Sequence, residues 1–231
     1  MTVRMALYVV AVMIGIVGVG LAASFDLGYE PEGLDDLKKE KGVFKTTLVR
    51  PGADFSRYDS IQTRTAVLAV RAPASSGRGS STGSLVGGVG GGVDLPEWDD
   101  LAELKEIFSR AVDTELGRAT DLAVVEGDGP NTLVLRPAIT DAVIITSSRY
   151  KSADGEEVPL LTRATVVLDL IDGQTGVIVA RLAERRTCPR PEKVDVEQGG
   201  YPLWPNVPDW ARRVAADLAQ QLDRAAAGSA S

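Results

Sequence analysis

The chain offers few side chains with which to do covalent chemistry. It has no histidine and one cysteine, Cys188, among 231 residues. Ser-His-Asp and Cys-His relays are thereby excluded, as are His-ligated metals, an internal disulfide and a thiolate zinc site. Gly79-Ser80-Ser81-Thr82-Gly83 matches the G-x-S-x-G pattern, but a nucleophile elbow needs a strand before it, a helix directly after it and a His base. Here it lies in a Gly/Ser-rich run and reads as linker. Gly87-Gly88-Val89-Gly90-Gly91-Gly92 precedes a helical pattern. It lacks the Lys-Ser/Thr of a phosphate loop, and its spacing fails G-x-G-x-x-G. Asp94, Glu97, Asp99 and Asp100 crowd the helix start and would occupy the dipole that an incoming phosphate needs. No cofactor and no metal site is expected.

Carboxylates are the remaining candidates: Asp35, Asp36, Asp54, Asp128, Asp141, Asp169, Asp172, Glu156 and Glu157. A glycosidase needs two of them facing across a cleft, so a carboxylate-dependent polysaccharide hydrolase is the enzymatic alternative. The sequence gives each of three aspartates a structural use instead. Asp172 should bond backbone N–H groups in its own turn. Asp169 and Arg136 suit a cross-strand pair, and Asp54 suits a turn ahead of the first strand.

Two sites for a partner stand out. Arg181, Arg185 and Arg186 flank Glu184, with Arg190 following. This basic patch reads either as a solvated strand end or as a contact for an anionic partner, such as lipid headgroups or a cell-wall polymer. Tyr201-Pro202-Leu203-Trp204-Pro205 would form a sugar- or peptide-binding platform if exposed, or plug the end of a core if buried. Cys188 is open to pairing between chains or to lying idle as a buried thiol. The oligomeric state is not legible.

These residues must be positioned by an aliphatic fold, since aromatics make up only 5% of the chain. Tyr58–Val70 alternates as one strand, Leu122–Glu126 as a short second, and Thr132–Thr146 as a third with Leu133, Leu135, Ile139, Val143 and Ile145 on one face. Pro137 within it predicts a bulge or an edge position. Arg163–Ile171 and Val177–Arg186 form a hairpin about Asp172-Gly173-Gln174-Thr175-Gly176. Ala164, Val166, Leu168 and Leu170 share a face of the first strand; Ile178, Ala180 and Leu182 share a face of the second. Glu97–Leu116 carries a helical stripe of Leu101, Leu104, Phe108, Ala111, Val112 and Leu116, with a capping box at Asp94 and Glu97 and a stop at Gly117. Pro208–Ala226 carries Trp210, Val214, Leu218 and Leu222 in one row, with Asn206 and Asp209 at its cap. The expected class is α+β: a two-layer sandwich of about five mostly antiparallel strands with both helices on one face.

Outside this domain, Met5–Ala23 is an uncharged, largely apolar run preceded by Arg4. Small residues at Gly20-Leu21-Ala22 and Ala22-Ala23-Ser24 suit a cleaved signal, and the length suits an uncleaved membrane anchor of about 20 residues. Both stay open, and both send the remaining chain out of the cytoplasm, to the periplasm or cell envelope. Residues 24–42 read as a polar tether, 43–226 as one domain, 72–92 as a Gly/Ser-rich insert, and 227–231 as a flexible tail. A net charge of −7 speaks against nucleic acid as a partner.

Four segments resemble an uncharacterised bacterial family, domain of unknown function 3313: Arg50-Pro51-Gly52-Ala53-Asp54-Phe55-Ser56-Arg57-Tyr58, Leu135-Arg136-Pro137-Ala138-Ile139-Thr140-Asp141, Leu168-Asp169-Leu170-Ile171-Asp172-Gly173-Gln174-Thr175-Gly176 and Asp209-Trp210-Ala211-Arg212-Arg213. The resemblance spans residues 43–225. It implies an exported, lipoprotein-like envelope protein. This chain has no lipid-attachment cysteine after its apolar run. The resemblance implies a location and supplies no activity. On the residues and the resemblance together, the expected role is non-enzymatic: binding or assembly, with the membrane, an envelope protein or a cell-wall polymer as partner.

Overall fold

The computed structural model of the protein describes residues 34–70, 98–191 and 202–229. The apolar run at 5–23, the tether as far as residue 33, the insert at 72–92, the cap at Asp94 and Glu97, and Tyr201 lie outside the described residues. In chain order the elements are β1 (Lys38–Lys39), β2 (Thr46–Val49), β3 (Ser60–Thr63), β4 (Val67–Val70), α1 (Trp98–Ala119), β5 (Ala123–Val124), β6 (Thr132–Lys151), β7 (Glu157–Asp172), β8 (Ile178–Thr187) and α2 (Val207–Ser229). The class is α+β, as expected. The sheet is larger and more mixed than expected, with eight strands in the order β1-β2-β8-β7-β6-β3-β5 and β4 also paired to β6.

The extra strands have identifiable origins. Tyr58–Val70 divides into β3 and β4, which pair with β6 one after the other. β1 and β2 come from residues assigned to the tether and the start of the domain; two and four residues long, they are too short for a period-two pattern to show. β3 and β4 each run parallel to β6, because α1 lies between them and β6 in sequence. A helix that crosses over returns the chain to run in its original direction. The C-terminal tail is also partly structured, since α2 continues to Ser229. α1 runs two residues beyond the expected stop at Gly117, which is not among the glycines with positive φ.

Pro137 occupies a central strand, opposite Leu168 of β7, and not an edge. The Leu135 carbonyl accepts the Arg64 N–H on the β3 side at 2.8 Å. Two residues on, Pro137 directs its missing N–H to the same side, where β3 has ended at Thr63 and β4 has not begun. The proline therefore sits where no ladder bond is asked of it.

One core joins the helices to one sheet face. Leu133, Leu135 and Ile139 of β6, Ala164, Val166, Leu168 and Leu170 of β7, and Ala180 and Leu182 of β8 pack with Leu104, Phe108, Val112 and Leu116 of α1 and with Trp210, Val214, Leu218 and Leu222 of α2. The Phe108 and Trp210 rings lie 5.3 Å apart between the helices. Two bulges correct the expected faces, because one extra residue inverts every side chain beyond it. The register slips between Leu170 and Ile171, so Ile178 joins Val134 and Ile171 on the other face, beside Leu34 and Leu37. At Asp141 (φ 49°) β6 slips against β7. Ala142 and Ile144 then enter the core, and Val143 and Ile145 are left exposed.

Candidate functional site

The motif residues meet on and around the β6–β7–β8 ladder. Asp169 stands between Arg136 of β6 and Arg181 of β8 in the strand register. The Arg181 guanidinium grips it with two bonds, Nε to Oδ1 at 2.6 Å and Nη2 to Oδ2 at 2.7 Å. Asp169 is fully buried and Arg181 is 6% exposed. The expected Asp169–Arg136 neighbourhood is present, and Arg181 supplies the bidentate pair. Arg181 is thereby removed from the surface patch: it is buried opposite Asp169, where only a paired charge is tolerated. Thr140 and Thr165 are buried on this helix-free face too.

A second knot lies at the β7–β8 turn. Asp172 Oδ1 accepts from the Gln174 N–H (3.1 Å), the Thr175 N–H (2.7 Å) and the Thr175 hydroxyl (2.8 Å), the expected turn role. Its Oδ2 accepts from the Tyr58 hydroxyl at 2.9 Å and from the Arg57 guanidinium. Arg57 also lies over the Tyr58 ring, 5.0 Å from its centre. Burial pushes the Asp172 carboxyl up, and the bonds from Thr175, Tyr58 and Arg57 outweigh it and hold the carboxyl below the ordinary carboxylate value. Burial and the Asp172 bond push the Tyr58 hydroxyl well above the ordinary phenol range. Gly173 fits because a Cβ there would come within 2.7 Å of the Thr132 carbonyl oxygen. Asp54 closes its turn as expected, accepting from the Ser56 N–H at 2.9 Å.

The remaining patch residues separate. Arg186 bonds Glu184 (2.7 Å) and Asp217 of α2 (2.6 Å) and covers the Phe44 ring at 5.0 Å. Glu184 and Asp217 share a shallow cleft with Trp210 and Arg213. A glycosidase pair brackets a sugar oxygen; this pair brackets a guanidinium. Arg185 and Arg190 point outward. Trp204 is fully buried, and its indole N–H donates to the Asp100 carbonyl at 2.7 Å. It plugs the core and presents no face to a ligand. The Asn206 side chain ties β7 to the segment after β8 in place of the expected side-chain cap: its amide N–H groups donate to the Leu161 (2.6 Å) and Pro189 (3.1 Å) carbonyls, while its backbone carbonyl accepts the Trp210 N–H of α2. Cys188 is buried, and burial pushes its thiol up to about 12, which leaves a poor nucleophile.

Sequence reasoning gave Arg57 and Tyr58 no role, because their partner is 115 and 114 residues away. The available signal was that both belong to one quoted motif and Asp172 to another. Among the described residues, no group of three or more metal-ligating side chains occurs.

No protein-family model matches the chain, and no curated protein matches it. Among solved structures it is similar to the PelC dodecamer from Paraburkholderia phytofirmans, at 16% identity over 80% of this chain and 95% of that one, with a TM-score of 0.35. It is also similar to a hypothetical protein from Chlamydia trachomatis, at 10% identity over 73% of this chain and 94% of that one, with a TM-score of 0.32.

Proposed function

We propose that this chain is an exported, envelope-associated domain with a binding or assembly role and no catalytic one, and that it belongs with the exported family its four motifs resemble. The observation that carries the reading is where the motif carboxylates go. Asp169 is gripped by Arg181, and Asp172 accepts five bonds that lock the β7–β8 turn to the segment at Arg57 and Tyr58. Groups held in this way stiffen a scaffold. A general acid must instead be free to give up a proton to a bound substrate. The apolar run of residues 5–23 supports the location. The partner is the membrane itself where that run is retained, and an envelope protein or cell-wall polymer beyond it.

The test is fractionation of cells expressing a tagged full chain, with sequencing of the mature N-terminus. Recovery outside the cytoplasm, either cleaved after residues 20–24 or membrane-bound with the run intact, is the expected result. Recovery in the cytoplasm with Met1 or Thr2 retained overturns the reading.

A further inference from the structure

The outer edge of the sheet is basic in an acidic protein. Lys38 and Lys39 form β1, the outermost strand, and Lys41 and Lys45 lie between it and β2. All four are exposed, and none makes an ion pair among the described residues. β2 begins with Thr46 opposite Ala183, so β8 continues the same edge beyond it. There Arg185 is exposed and likewise unpaired among the described residues. The neighbouring acids do not cancel this ridge. Asp36 is held by Arg50 at 2.9 Å and Glu184 by Arg186 at 2.7 Å, which leaves Asp35 and Glu40 against five cations.

Lysines on an edge strand also discourage edge-to-edge pairing. That accounts for Lys38 and Lys39 only. β1 is two residues long, already a poor template, and Lys41, Lys45 and Arg185 lie outside its ladder. The position of the ridge in the chain supplies a better reason. Residues 24–33 separate the apolar run from Leu34, and about ten residues span at most about 36 Å when fully extended. If the run is held in a membrane, this edge is the part of the domain that leaves it first.

We propose that the Lys38–Lys45 ridge, with Arg185, rests on anionic lipid headgroups of the membrane that holds the N-terminal segment. The proposal rests on the envelope reading above. Mobile ammonium groups without a shaped cradle suit a diffuse negative surface better than a single bound anion, and the attraction acts within about 8 Å at physiological salt.

The test uses the full chain reconstituted in phosphatidylcholine vesicles with and without phosphatidylglycerol, with lysine acetylation followed by mass spectrometry. A surface potential of about −30 mV raises the local proton concentration about threefold. Lys38, Lys39, Lys41 and Lys45 should therefore react about threefold more slowly on the anionic vesicles, and recover in about 0.5 M salt. Lys105 on α1 and Lys151 at the far end of β6 serve as references and should not change. Equal rates on both vesicles, or slowing shared by Lys105 and Lys151, overturns the ridge and leaves the anchor standing. A chain that floats with neither vesicle overturns the ridge together with the anchored form of the envelope reading.

Discussion

Removing one side of the Asp169–Arg181 pair should be among the most damaging single changes to this domain. The side chains are 0% and 7% exposed, so Asp169→Leu strands a guanidinium in a site built for its bidentate partner. Breaking such a pair costs about 3–5 kcal/mol. In a domain of this size each kcal/mol moves the melting midpoint by about 2–4 °C, so a fall of about 6–20 °C is expected. Arg181→Met should cost a similar amount, because it leaves the carboxylate buried. The double variant Asp169→Leu/Arg181→Met removes both charges and should recover most of the loss, since well-packed apolar pairs often match or exceed buried ion pairs. Urea titration of the parent, both single variants and the double gives the coupling directly. Single variants with the parent's midpoint, or a double variant whose loss equals the sum of the two singles, would refute the idea that the pair acts as one buried unit.

Three further outcomes are expected. Leu218→Ala, at a fully buried position of α2, should cost about 2–5 kcal/mol, whereas Arg212→Ala, exposed beside Asp209, should stay within about 0.5 kcal/mol; denaturation midpoints decide both. Burial pushes the Asp113 carboxyl above its ordinary 3.8, so the parent loses stability as pH rises through the folded value. Asp113→Asn should raise the midpoint at pH 7, and the gain should vanish below the unfolded value near 3.8. Cys188 should resist a thiol reagent in the native protein at pH 8 and react fully once unfolded, as its buried thiol with a value near 12 requires; fast native reaction would show that the β8 end opens.

What could be read from the residues was whatever depended on near neighbours. The i, i+4 rows of α1 and α2, the β7–β8 hairpin and the Asp172 and Asp54 turns are all set within a few positions along the chain, and the structure has them. Ile178 went to the wrong face because a single slipped residue after Leu170 leaves no mark in hydrophobic alternation. The inversion at Asp141 hid Val143 and Ile145 in the same way. Parallel pairing of β3 and β4 with β6 depends on the path of the chain through α1, not on any strand's own pattern. Arg181 looked like its neighbours Arg185 and Arg186, since three arginines on one strand differ only in the facing residue. Trp204 followed the composition argument: a chain poor in aromatics buries the ones it has.

The central claim is that the motif carboxylates hold the fold together, and the pH dependence of Asp172→Asn tests it most directly. The Asp172 carboxyl is held below its ordinary 3.8. Its contribution should be fully present above the unfolded value and lost as pH falls through the folded one. Urea midpoints of the parent and of Asp172→Asn are compared from pH 7 down to about pH 2, across the ordinary carboxylate value near 3.9. The account predicts a clearly less stable variant at pH 7 and a difference that shrinks progressively in acid. Identical midpoints at pH 7 would contradict it, because Asp172 would then be free of the structural duty assigned to it.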